Sequence, residues 1–182
     1  MSEIADRYRR LSQRFADLIA AVPPDRWDDP TPCEGWTVRQ LVGHVVETQS
    51  MFRKLVGREP IATPDVAEDP TGAWEAARTA VIADLEDPQR AAAEFDGVSG
   101  RSTFEQAVDR FLNFDLIVHG WDLARATGQD ERIPPEDLAH VRAQAEALGD
   151  LLRSSGAFGP PVEPPPGADE QTRLLAFLGR RV

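Results

Sequence analysis

The sequence predicts an all-α fold, a four-helix bundle with an additional C-terminal helix and a proline-rich extension. Three observations predict it. Apolar residues recur at spacings of three and four along most of the chain, the period of an amphipathic helix. Capping residues and glycine or proline stops punctuate those stretches at helix-length intervals. No internal repeat or composition break divides the 182 residues, a length that suits one domain over 1–182 with its own core.

The elements follow in order. Ile4, Tyr8, Leu11, Phe15, Leu18 and Ile19 form one stripe over residues 3–21, and Pro23 and Pro24 stop that helix. The linker PPDRWDDPTPCEGW is rich in turn formers. Thr37 opens a second helix with Gln40 in the capping-box position, and Trp36 and Leu41 are spaced as a hydrophobic staple. Its stripe reads Leu41, His44, Val45, Thr48, Met51, Phe52 and Leu55, with Gly57 just past its end. Asp69 followed by Pro70 starts a third helix running to about Leu85. A short extended piece is expected around 94–98. Ser102 and Glu105 form another capping box, opening a helix that ends near Thr127 with Gly128 as its stop. A fifth helix starts at Pro134–Pro135 and reaches about Arg153. SGAFGPPVEPPPGADE is an irregular strap, and Thr172–Leu178 is a short helix closed by Gly179.

Charge and composition exclude several function classes. A formal net charge of −11, with no basic cluster, opposes binding to nucleic acid or to an anionic membrane surface. Cys33 is the only cysteine, so no intrachain disulfide forms and a reducing compartment is expected. MSEIADRYRRLSQRF has no apolar core or cleavage pattern, and no apolar run approaches the roughly 20 residues of a membrane span. A cytoplasmic location is the expectation. G-x-S-x-G, P-loop, G-x-G-x-x-G and H-E-x-x-H motifs are all absent.

One stretch does not fit an ordinary core. FLNFDLIVHGWDLARATG, residues 111–128, continues the stripe Phe104, Val108, Phe111 into Asp115, His119, Asp122 and Ala126. Ionisable groups on a buried face cost several kcal/mol unless paired. Asp115 and His119 stand at i and i+4, one turn apart, where two side chains reach one point. His44 sits on the stripe of the second helix. If the two stripes face each other, two imidazoles and a carboxylate converge, a set sufficient to hold a divalent ion with positions left open. The alternatives are a satisfied core histidine at 44 and a simple Asp115–His119 pair across a turn. Asp122 reads either as a group orienting His119 or as an ion-pair partner of Arg125. Cys33 is a reactive thiol, a soft fourth ligand or a small buried hydrophobe. Trp36 and Trp121 read as packing residues and His140 as a rim residue. Gly120, at a helix centre, marks a close helix approach or room for a ligand.

PTPCEGWTVRQLVGHVVETQ, DLIVHGWDLARATG and RLLAFLGR together resemble the actinobacterial metal-binding proteins of the DinB-like superfamily, which includes the N-terminal domain of mycothiol-dependent maleylpyruvate isomerase. The resemblance implies a bundle in which His44, Asp115 and His119 hold one divalent ion, with zinc, nickel, iron and manganese not distinguished. Asp115 stands where the isomerase has glutamate and many DinB-like proteins have histidine; it keeps the charge and shortens the reach. The resemblance also implies a small-molecule thiol such as mycothiol, an electrophilic substrate and a homodimer. The isomerase has a further C-terminal domain, whereas the residues after Gly128 read as a helix, a strap and a short helix, so its own reaction is not implied. The rival expectation is a non-catalytic metal-binding or dimerisation module whose ion is structural.

Overall fold

A computed structural model describes residues 2–97, 100–149, 153 and 158–182. Its long helices are α1 (Glu3–Ala20), α2 (Val38–Leu55), α3 (Pro70–Glu86) and a late helix interrupted by one π turn. After α3 come a short turn, α4 (Pro88–Ala91), and an antiparallel hairpin of β1 (Glu94–Gly97) and β2 (Gly100–Thr103). The late helix runs as α5 (Phe104–Ala107), a π segment (Val108–Leu112) and α6 (Asn113–Thr127); α7 (Pro135–Leu148) and α8 (Glu170–Phe177) complete the chain. Helix α1 packs on α3 and α6, and so does α2, which closes a four-helix square; α7 covers α6, and α8 packs on α7. Among the described residues no helix is long and apolar enough to cross a membrane.

Local signals set most boundaries. Ser2 caps α1 through Ala5 N, and the Thr37–Gln40 capping box is complete on both sides. Asp69 caps α3 ahead of Pro70, as expected. The late helix starts one residue later than the sequence suggests. Ser102 pairs with Phe95 in the hairpin, so Thr103 and Gln106 form the capping box in place of Ser102 and Glu105. The extended piece expected at 94–98 is β1 as far as Gly97, and Val98 lies outside the described residues. Helix α7 ends at Leu148; of the further turns expected to Arg153, residues 150–152 lie outside the described set.

The core joins the four helices through large side chains. Phe15 of α1 meets Trp74 of α3 edge to face with ring centroids 5.0 Å apart. Trp74 Nε1 donates to the Ser12 carbonyl and Tyr8 donates to Gln49 Oε1, so these buried polar atoms are satisfied. Met51 and Leu55, placed on the α2 stripe by their spacing, are 54% and 45% exposed. They form the lip of a cleft.

The π segment has no counterpart in the sequence reading. Asn113 N–H reaches Val108 O, five residues back, in place of the usual four. His140, expected at the rim, is buried here, and its Nε2 lies 3.1 Å from the Asp109 carbonyl. The Asp109 carboxylate accepts from Arg7 Nη1 at 2.7 Å and from Asn113 Nδ2 at 3.2 Å. The widened turn is therefore braced from α1 and α7.

The packing around Gly120 leaves room for a small side chain. A Cβ built there would lie 3.8 Å from Leu18 Cδ1 of α1, ordinary contact distance. Gly120→Ala should accordingly be tolerated, with a gain of up to about 1 kcal/mol from helix propensity. Gly120→Leu should be destabilising by about 1–3 kcal/mol through overpacking. Denaturant unfolding of the two variants checks both.

Candidate metal centre

Two histidines and a carboxylate converge where α2 faces α6. His44 Nδ1 or Nε2, an Asp115 oxygen and a His119 ring nitrogen all lie within 4.8 Å of one another. His119 Nε2 is 3.2 Å from Asp115 Oδ1, and the two imidazoles stand edge to face with centroids 5.3 Å apart. The helical spacing of Asp115 and His119 brings them to one point, and the α2–α6 packing supplies His44.

The other ring nitrogen of His119 is engaged behind the cluster. His119 Nδ1 lies 3.0 Å from Asp122 Oδ2, and an ionised carboxylate can only accept, so Nδ1 carries the proton. Nε2 is thereby turned toward His44 and Asp115. Asp122, fully buried, is gripped by Arg180, whose Nε and Nη2 donate to its two oxygens at 3.1 and 2.7 Å. The Cys33 thiol donates to Asp122 Oδ2 at 3.2 Å and accepts from Arg180 Nη2 at 3.1 Å. The pairing of Asp122 with Arg125 considered from the sequence does not occur; Arg125 binds Glu131.

Arg180 is the residue that sequence reasoning missed. Gly179 makes its placement possible: at φ +86° it turns the chain after α8, and a Cβ there would stand 3.2 Å from the Gly159 and Pro160 carbonyl oxygens. The arginine then enters the core from the end of the chain, 58 residues after Asp122. RLLAFLGR marks the helix and its stop, but no local pattern says what its last arginine meets.

A second group, Cys33, His119 and Asp122, also has metal-ligand spacing. Its carboxylate and sulfur already face the Arg180 guanidinium, so the local positive charge is in place and a second cation would be repelled. The first group fits a cation better. Asp115 Oδ2 is buried with no hydrogen-bond partner, an acceptor left for an ion to satisfy.

The surroundings tune the three groups differently. Burial pushes His44 below the usual imidazole value, partly offset by Asp115, so it is neutral and offers a lone pair at neutral pH. Burial also pushes His119 down, but Asp115 and the hydrogen bonds to Asp115, Asp122 and Cys33 more than offset it and leave it well above 6.5. Burial would raise Asp115, yet the His119 charge and hydrogen bond hold it low. Trp36 covers the centre, its ring 4.6 Å from His44 and 6.0 Å from His119. Trp36, read as a packing residue, packs against the His44 ring, with His119 farther off. Trp121, read as a packing residue, is 1% exposed in the core.

His44 and Asp115 also line a cleft of about 780 Å³ between α2, the hairpin and the π segment. Its walls include Met51, Phe52, Leu55, Phe111, Phe114 and Phe158. The candidate ligand face is thus reachable by a small molecule.

Residues 8–124 match the family model of the mycothiol maleylpyruvate isomerase N-terminal domain. The chain is similar to the uncharacterized protein Rv0738 of Mycobacterium tuberculosis (strain ATCC 25618 / H37Rv), with 34% identity over 96% of each chain. A 51-residue stretch is 52% identical to the uncharacterized protein Rv0036c of the same strain, covering 28% of this chain and 20% of that one. No solved structure matches the chain.

Proposed function

The chain belongs to the mycothiol maleylpyruvate isomerase N-terminal domain family, and from that premise we propose a metal- and thiol-dependent enzyme acting on a small electrophile. His44, Asp115 and His119 would hold one divalent ion, and residues 1–182 would work as one domain. Bound there, the ion would supply Lewis-acid activation of a thiol of the mycothiol type, lowering its pKa so that the thiolate attacks.

The chain's own residues do the rest. Asp122 holds the proton on His119 Nδ1 and keeps Nε2 aimed at the cluster. Arg180 fixes Asp122 by its two-point contact. Trp36 packs over His44 and keeps water from one side of it. The apolar cleft wall accommodates the body of the electrophile beside Asp115.

One observation carries this reading over a purely structural ion: the face formed by His44 and Asp115 opens on the cleft. Structural zinc sites are closed and commonly four-coordinate, whereas catalytic ones keep a position open. Metal content by elemental analysis tests it, on untagged wild type beside His44→Ala, Asp115→Ala and Cys33→Ser. The expected result is about one equivalent in wild type and in Cys33→Ser, with loss in the other two. Loss in Cys33→Ser with retention in His44→Ala would move the ion to the Cys33 group. No uptake of zinc, nickel, iron or manganese by wild type would sink the proposal.

A further inference from the structure

The cleft holds a cation that the candidate metal chemistry does not use. Arg110 lies in the π segment, is half-buried and lines the cleft together with His44 and Asp115. Among the described residues it makes no ion pair or hydrogen bond. The other arginines, apart from the exposed Arg181, are engaged with carboxylates or carbonyl oxygens. Its neighbour Asp109 is occupied by Arg7 and Asn113. Arg101, the other arginine on the cleft, is paired with Glu94. In a chain of net charge −11, a partly desolvated guanidinium without an anion is an uncompensated cost.

Arg110 lies within the π segment, closed by the Asn113 N–H bond to Val108 O, and it lines the same cleft as Phe114 and Asp115 of α6.

We propose that Arg110 anchors the carboxylate of the electrophile, so that the cleft selects apolar, carboxylate-bearing substrates. The guanidinium fork matches a carboxylate in two-point geometry, and the aromatic wall takes the uncharged body of the molecule. This rests on the proposed function for the identity of the site, but the anchor itself is independent of metal.

Cinnamate and methyl cinnamate have the same apolar body and differ in the charge, so their affinities isolate the anchor. Calorimetric titration of both into metal-free and zinc-loaded protein, for wild type, Arg110→Gln and Arg110→Lys, tests it. In wild type the acid should bind more tightly than the ester. Arg110→Gln should weaken the acid on the order of tenfold to a hundredfold and leave the ester unchanged, with partial recovery in Arg110→Lys. The dependence on Arg110 should be the same with and without zinc, whereas failure of the metal reading would appear as absent zinc uptake with this dependence intact. Equal affinities for acid and ester, no saturable binding of cinnamate, or an acid preference that survives Arg110→Gln would each overturn the proposal.

Discussion

Arg180→Met is expected to weaken zinc binding by about 10–100-fold, although Arg180 touches none of the three candidate ligands. The effect travels through Asp122. That carboxylate is fully buried, and burial alone would raise its pKa; the hydrogen bonds from His119 and Arg180 bring it down to about 2. Without the guanidinium it becomes a buried charge held by an imidazole and a thiol alone. Removing one partner of such a pair costs about 3–5 kcal/mol, so the variant should also unfold at lower denaturant. Asp122 is then free to turn or take up a proton, and the tautomer and aim of His119 are no longer imposed. Arg180→Lys separates the two effects, because it keeps the charge and loses the fork. It should recover most of the stability and only part of the affinity. Chelator competition gives the affinities and urea unfolding the stabilities. Wild-type zinc affinity in Arg180→Met would show that Asp122 orients His119 unaided.

The parts of the fold and site that were legible in the sequence are the local ones. The stripe of α1, the Thr37–Gln40 box and the Asp69–Pro70 start depend on residues three or four apart, and the structure keeps all three. The Asp115–His119 pair was visible for the same reason, since a single helical turn brings the two together. His44 needed the further assumption that two stripes face each other, which the α2–α6 packing meets. What stayed hidden depends on distant contacts or on a small change of helical pitch. Arg180 reaches Asp122 across 58 residues of chain, through a glycine turn whose partners lie in the proline-rich strap. The spacing of Phe104, Val108, Phe111 and Asp115 fits an unbroken helix, so nothing in it announced the π turn or placed Arg110 on the cleft. Met51 and Leu55 carry the right period for a core and yet line an open wall, because periodicity reports a face and not what covers it.

Zinc uptake near neutral pH should release about one proton, and that proton should come from His119. In the metal-free centre His119 is held well above 6.5, while His44 is held below it. A metal needs the Nε2 lone pair of His119, so the ion and the proton compete for one atom, whereas His44 is already neutral. The apparent zinc affinity should rise about tenfold for each pH unit up to the His119 value and level off above it. Stability of the metal-free protein should move the other way. A group whose folded pKa lies above its unfolded 6.5 contributes stability that is fully present below 6.5. That contribution is lost as pH rises through the folded value, when Asp115 and Asp122 lose the charge between them. The zinc-loaded protein, with an ion in the proton's place, should not lose stability over that range. Calorimetry in buffers of different ionisation enthalpy counts the protons, and melting curves between pH 6 and 9 follow the two stabilities. Release of no proton, or metal-free stability that climbs with pH over that range, would mean that His119 is neutral before the metal arrives. The bridge between Asp115 and Asp122 would then be a hydrogen-bonded contact without charge, and uptake would be limited by the packing around His119.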